Sequence, residues 1–82
     1  MSSPIYKTIA TLIEREKQLT TSVHVNDHLG MDLGFDSLNR VEFIAVLEKQ
    51  FNINIPETFI AKVSTVRDLI CMITQLVTAQ KP

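Results

Sequence analysis

Residues 32–52 read DLGFDSLNRVEFIAVLEKQFN, an acidic, glycine-containing turn running into a patterned segment. Apolar residues in that segment fall at Leu38, Val41, Ile44, Ala45, Leu47 and Phe51. Steps of three and four predict an α-helix over about 37–51. Gly34 makes a sharp turn inexpensive just before it. Asp36 and Ser37 both have side chains able to accept a hydrogen bond from a first-turn amide, so either serves as N-cap. A helix start carries unpaired amide hydrogens and partial positive charge. A phosphate ester on Ser37 would sit in that field. The two histidines, His24 and His28, lie in the preceding loop, and no base stands beside Ser37 in sequence. The serine therefore reads as a group acted upon rather than one activated for attack. An ordinary serine near a helix start fits Asp36-Ser37-Leu38 as well.

Working outward, Ile5, Ile9, Leu12 and Ile13 form one stripe and predict a first helix over about 4–18, with Ser2, Ser3 and Pro4 at its start. Lys7, Glu14 and Lys17 are assigned to its solvent face, and Thr20, Thr21 and Ser22 end it. Residues 20–36 are too irregular for a helix. Val23, Val25, Leu29, Met31 and Leu33 recur at about every second residue, so each is expected to tuck toward the core from a long, self-packed loop. His24 and His28 are expected as surface loop residues. In the second helix Phe43, Ile44, Leu47 and Phe51 make the inner stripe. Leu38, Val41 and Ala45 lie on another face, and Arg40, Glu42, Glu48 and Lys49 are expected to be wet. Asn52 to Pro56 break the helix. A short helix over 57–62 follows, with Phe59, Ile60 and Val63 pointing inward or onto a groove. Thr65-Val66-Arg67-Asp68 has the form of a capping box, with Asp in place of Glu. It opens a last helix whose stripe is Val66, Leu69, Ile70, Ile73, Leu76 and Val77. Cys71 falls off that stripe and is expected to be partly exposed; Thr78–Pro82 are expected to fray. Three longer helices plus one short one, without a strand pattern, predict an all-α, small four-helix bundle with a long loop between the first two long helices.

Composition narrows the function classes. Eighty-two residues suit a single domain, 1–82. One cysteine excludes an internal disulfide and suits a reducing, cytoplasmic setting. No basic-then-apolar leader is readable at the N-terminus, and no apolar run reaches spanning length, so no membrane insertion is expected. Two histidines and a distant cysteine do not assemble a metal site. The net charge of −1 hides an uneven distribution: residues 21–60 hold six carboxylates against two cations, a balance of −4, and the remainder carries +3. Without a basic cluster and interleaved aromatics, nucleic acid is disfavoured. An acidic middle steers basic protein partners.

Asp32-Leu33-Gly34-Phe35-Asp36-Ser37-Leu38, then Val41-Glu42, Leu47-Glu48, Phe51, Ile55-Pro56 and Thr65-Val66, resemble the acyl carrier protein family over about residues 5–78. The resemblance implies that Ser37 carries 4′-phosphopantetheine, within a motif formed with Gly34, Asp36 and Leu38. It implies a non-enzymatic, monomeric carrier. A separate, magnesium-using phosphopantetheinyl transferase would load the arm from coenzyme A, with Asp36 helping to position that reaction. Acyl intermediates would then ride as thioesters to acyl-loading, elongating or acyltransferase enzymes of fatty-acid, polyketide or specialised lipid biosynthesis. Leu38, Arg40, Val41, Glu42, Ala45 and Glu48 are the implied partner-recognition residues. Phe43, Ile44, Leu47, Phe59 and Ile60 are the implied lining of an acyl groove.

The chain also departs from the pattern. Fatty-acid carriers are strongly acidic along the second helix and the short helix after it, whereas Asn39, Arg40, Lys49, Gln50, Asn54, Thr58, Phe59 and Ala61 are not acidic here. This points to a dedicated pathway, and Phe35, also met in polyketide carriers, leans the same way. Leu33-Gly34 favours an acyl over an aminoacyl or peptidyl carrier. Two other classes remain: a non-cycling interaction subunit with the carrier fold, and a small hydrolase using Ser37. The hydrolase lacks a recognisable base or oxyanion arrangement.

Overall fold

The computed structural model describes residues 4–80. Ser2 and Ser3, expected at the first helix start, and Lys81 and Pro82 of the tail lie outside the described residues. The elements are α1 (Pro4–Lys17), α2 (Ser37–Phe51), α3 (Glu57–Ile60) and α4 (Val66–Gln80). The expected bundle of three longer helices and one short helix is present, with α3 shorter than the 57–62 expected. Among the described residues the only extended pairing is an isolated antiparallel bridge between His28 and Thr65.

α1 buries Ile9, Ala10 and Ile13, while Ile5 and Leu12 flank them half-buried. It stops where Gln18 turns left-handed, at φ 53°, and the Leu19 N–H donates to the Glu14 carbonyl at 2.9 Å. That 6→1 bond is the Schellman pattern. α2 ends in the same way: Asn52 takes φ 55°, and the Ile53 N–H reaches the Glu48 carbonyl at 3.1 Å. Asn tolerates the left-handed region better than most residues, so the expected break at Asn52 has a direct cause.

α4 begins with the capping box. The Asp68 N–H donates to Thr65 Oγ1 at 3.2 Å, and Asp68 Oδ2 accepts from the Thr65 and Ser64 amides at 3.1 and 3.0 Å. Those backbone N–H groups, Ser64 first, hold the Asp68 carboxyl below its ordinary range. The inner stripe of α4 gains one residue over the expectation, Met72, which is buried beside Ile73; Cys71 is exposed. Thr78–Gln80, expected to fray, continue the helix. The Gln80 side chain closes a two-bond clamp on Asn54, accepting from its N–H at 2.9 Å and donating to its carbonyl at 2.8 Å.

Residues 18–36 are fastened at both sides. Tyr6 donates its hydroxyl to the Val23 carbonyl at 3.0 Å, and Glu14 Oε2 accepts the Val23 N–H at 3.2 Å. Glu14 is therefore half-buried and engaged, not on a purely solvated face. Further on, the carbonyls of Asp27 and Val25 accept the N–H groups of Val66 and Arg67 at 3.0 and 2.8 Å. The loop thus satisfies first-turn amides that α4 cannot satisfy itself.

Val23, Leu29 and Leu33 enter the core as expected and Val25 is half-buried, but Met31 is 84% exposed. The reason is a tight turn. His28 Nδ1 accepts the N–H groups of Gly30 and Met31 at 3.1 and 3.0 Å, and the His28 carbonyl accepts those of Asp32 and Leu33 at 2.9 and 3.1 Å. The turn breaks the two-residue period and lifts Met31 onto its tip. His28 is accordingly half-buried and structural, whereas His24 is exposed.

One core joins all these parts. Leu47, Leu69 and Ile73 lie at its centre, and no polar or charged residue among those described is buried. Phe35, 4% exposed, inserts from the turn before α2, its ring centroid 5.2 Å from that of Phe43.

Candidate functional site

Ser37 is the first residue of α2 and is exposed. Asp36, not Ser37, is the N-cap: its backbone is extended, at φ −88° and ψ −176°, and its Oδ1 accepts the Asn39 N–H at 2.7 Å. The serine is therefore relieved of capping. Among the described residues no hydrogen bond engages its hydroxyl or the N–H groups of Ser37 and Leu38. An exposed hydroxyl beside two open amides of a helix start fits an esterified phosphate, since both the N–H groups and the helix dipole favour that charge.

The turn leading to Ser37 is held from two directions. Gly34 takes φ +75°, a region where a side chain is strained. Phe35 N–H donates to the Leu29 carbonyl at 2.8 Å, and the Phe35 ring anchors the turn in the core. From α1, Lys17 Nζ donates to the Gly34 carbonyl at 3.0 Å and to Asn39 Oδ1 at 3.2 Å, and lies 5.0 Å from the Phe35 ring centroid. Sequence reasoning missed Lys17, placing it on the solvent face; it is half-buried. Only its position in the last turn of α1 hinted at a role, and nothing in the string marks acceptors 17 and 22 residues on.

The other expected site residues divide by face. Leu38 and Val41 are 67% and 63% exposed, and Glu42 and Ala45 are exposed beside them. These four form an open surface next to Ser37. Arg40 and Glu48 differ from the expectation of wet side chains. Both are half-buried: Arg40 Nη1 donates to the Val63 carbonyl at 3.1 Å, and Glu48 Oε2 accepts the Ile55 N–H at 2.8 Å. They sit at the border of α2, where residues 53–63 wrap back over it, and they satisfy backbone groups there. Glu48 still borders an open cleft of about 460 Å³ between α2 and α3, with Val41, Ala45 and Ile60.

The five groove residues do not act as one lining. Ile44 and Ile60, which also line the open cleft between α2 and α3, meet Phe43 at a small apolar cavity of about 20 Å³, closed by Phe35 and Arg40. That is space for about one water, not for an acyl chain without movement of its walls. Leu47 is fully buried at the core centre, and Phe59 faces a different groove, shared with Cys71 and Met72. Among the described residues no group of His, Cys, Asp and Glu is placed to hold a metal, and no helix is long and apolar enough to cross a membrane.

Comparison with known proteins agrees with this geometry. Residues 6–73 match the family model described as "Phosphopantetheine attachment site". The acyl carrier protein of Aster yellows witches'-broom phytoplasma is 35% identical over 72 residues, 87% of this chain and 95% of that protein. That of Guillardia theta is 32% identical over 76 residues, covering 92% and 94%. Among solved structures, a Mycobacterium tuberculosis protein described as an acyl carrier protein superposes with a TM-score of 0.83 at 30% identity, covering 87% of this chain and 96% of that one. An acyl carrier protein from Thermotoga maritima shares the fold at a TM-score of 0.81 and 22% identity, over 99% and 100% of the two chains. A match across most of the chain, with relatives of nearly equal length, gives the exposed serine turn its context: the chain belongs to the acyl carrier protein family, whose members are carriers bearing a phosphopantetheine attachment site and not enzymes.

Proposed function

We propose that Ser37 is the attachment residue and that the chain works as a single, monomeric, cytoplasmic carrier domain. The observation that carries this reading is the exposed Ser37 hydroxyl at the start of α2, left unengaged because Asp36 does the capping. In the transfer, Ser37 Oγ bonds to the phosphorus that bears the pantetheine arm of coenzyme A. The pyrophosphate bond breaks, 3′,5′-adenosine bisphosphate departs, and the hydroxyl proton passes to a base of the transferase. Once bound, the group supplies a thiol on a long tether. The protein's own contribution is position: a rigid helix start, an apolar face of Leu38, Val41 and Ala45 for docking, and Glu42 for steering. Tethering replaces a dilute substrate with a local one.

The test is intact mass after incubation with coenzyme A and a broad-specificity transferase. A single phosphopantetheine increment, lost in Ser37→Ala, is expected. An increment retained by that variant, or none in the unsubstituted protein, contradicts the reading. The scarcity of carboxylates along α2 and α3 supports a dedicated pathway rather than the housekeeping fatty-acid synthase, because steering charge is reduced. Full competence with housekeeping loading and elongating enzymes would sink that part alone.

A further inference from the structure

We propose that Lys17 is a positioning residue for the modification of Ser37. It holds residues 34–39 in the geometry that presents the hydroxyl. This rests on the reading of Ser37 as the attachment residue.

The contacts of Lys17 straddle the serine. One acceptor, the Gly34 carbonyl, lies three residues before it, and the other, Asn39 Oδ1, lies two residues after it. A single ammonium therefore ties the turn and the first turn of α2 to each other and to α1. The tie falls where the backbone most needs one. Gly34, at φ +75°, has more conformations to lose than any other residue type would. Gly34, Asp36 and Ser37 are all exposed, so packing fixes only Phe35 between them. The Lys17 ammonium is guided in turn, since Nζ lies over the Phe35 ring and that ring is lodged against Phe43.

Electrostatics separates this role from simple stabilisation. Lys17 ends α1, where a cation is favourable, but its ammonium sits beside the start of α2, where a cation is not. The second placement is useful to a site that receives a phosphate. The transferase must meet a carrier whose turn is already formed. If only a fraction of molecules has it formed, the apparent affinity falls by that fraction.

The experiment compares the unsubstituted protein with Lys17→Met, which keeps an unbranched side chain of similar length and removes the donors and the charge over the Phe35 ring, and Lys17→Arg, which restores donors and charge. With coenzyme A saturating, the KM of the transferase for Lys17→Met is expected to rise about three- to tenfold with kcat nearly unchanged. Lys17→Arg is expected to return most of that loss. Amide exchange at Asn39 and Phe35 should quicken in Lys17→Met at temperatures well below its melting point. An unmoved KM, or an arginine variant as impaired as the methionine one, overturns the proposal. If the unsubstituted protein takes no arm at all, the attachment reading fails and this inference falls with it. Normal loading with an unmoved KM overturns the inference alone.

Discussion

Asp36 and Asp68 both accept backbone N–H groups at a helix start, Asp36 as the N-cap and Asp68 from inside the first turn, and they leave different consequences. Asp68 accepts two backbone N–H groups, from Ser64 and Thr65, so its charged form is favoured in the folded state and its pKa is lowered from the ordinary 3.8. A lowered folded pKa means stability that is fully present above the ordinary carboxylate range. It is lost as pH falls from that range through the folded value. Asp68→Asn is therefore expected to flatten the acid limb of stability, measured as urea midpoints from neutral pH down to the acid transition. Thr65→Ala is expected to cost about 1 kcal/mol at neutral pH, the worth of a lost cap. The Thr65–Asp68 box was legible because both partners lie within four residues. The choice between Asp36 and Ser37 as cap was not, since either side chain can accept the Asn39 N–H. Lys17 was not legible at all, because its acceptors are brought to it by the path of the loop.

At the scale of the element, α2 carries two apolar stripes, only one of which reaches the core. Leu38, Val41 and Ala45 are spaced by three and four, as are Ile44, Leu47 and Phe51, so periodicity alone offers two stripes. Packing decides between them: Leu47 is at the core centre, while Leu38 and Val41 face solvent. Leu38→Ser with Val41→Ser is expected to change stability by no more than about 0.5 kcal/mol per site, as surface substitutions do. The same pair should raise KM for an acyl-handling partner enzyme, and steady-state kinetics beside a thermal melt separates the two effects. The far end of α4 shows the opposite case, a terminus better ordered than its polarity suggests. Gln80→Ala removes both bonds of the Asn54 clamp and should speed amide exchange at Asn54 and in the last turn of α4. A side chain reaching across 26 residues leaves no local pattern to read.

For the whole molecule, the core and the loop share the task of fixing Ser37. The helical stripes were legible, because burial follows their 3.6-residue period. The loop was half legible: Val23, Leu29 and Leu33 enter the core, but Met31 leaves it where the His28 turn breaks the alternation. Small domains rely on few central residues. Leu47→Ala is expected to cost about 2–5 kcal/mol, a large part of the roughly 5–15 kcal/mol typical of a domain, and denaturant unfolding measures it directly. Beneath these lies the assignment of the arm to one hydroxyl. Cleavage after Lys17 and Arg40 releases residues 18–40, a peptide that contains Thr20, Thr21, Ser22 and Ser37. Fragmentation of that peptide from the loaded protein should place the phosphopantetheine mass on Ser37 alone; finding it on Thr20, Thr21 or Ser22, or outside the peptide, would contradict the account.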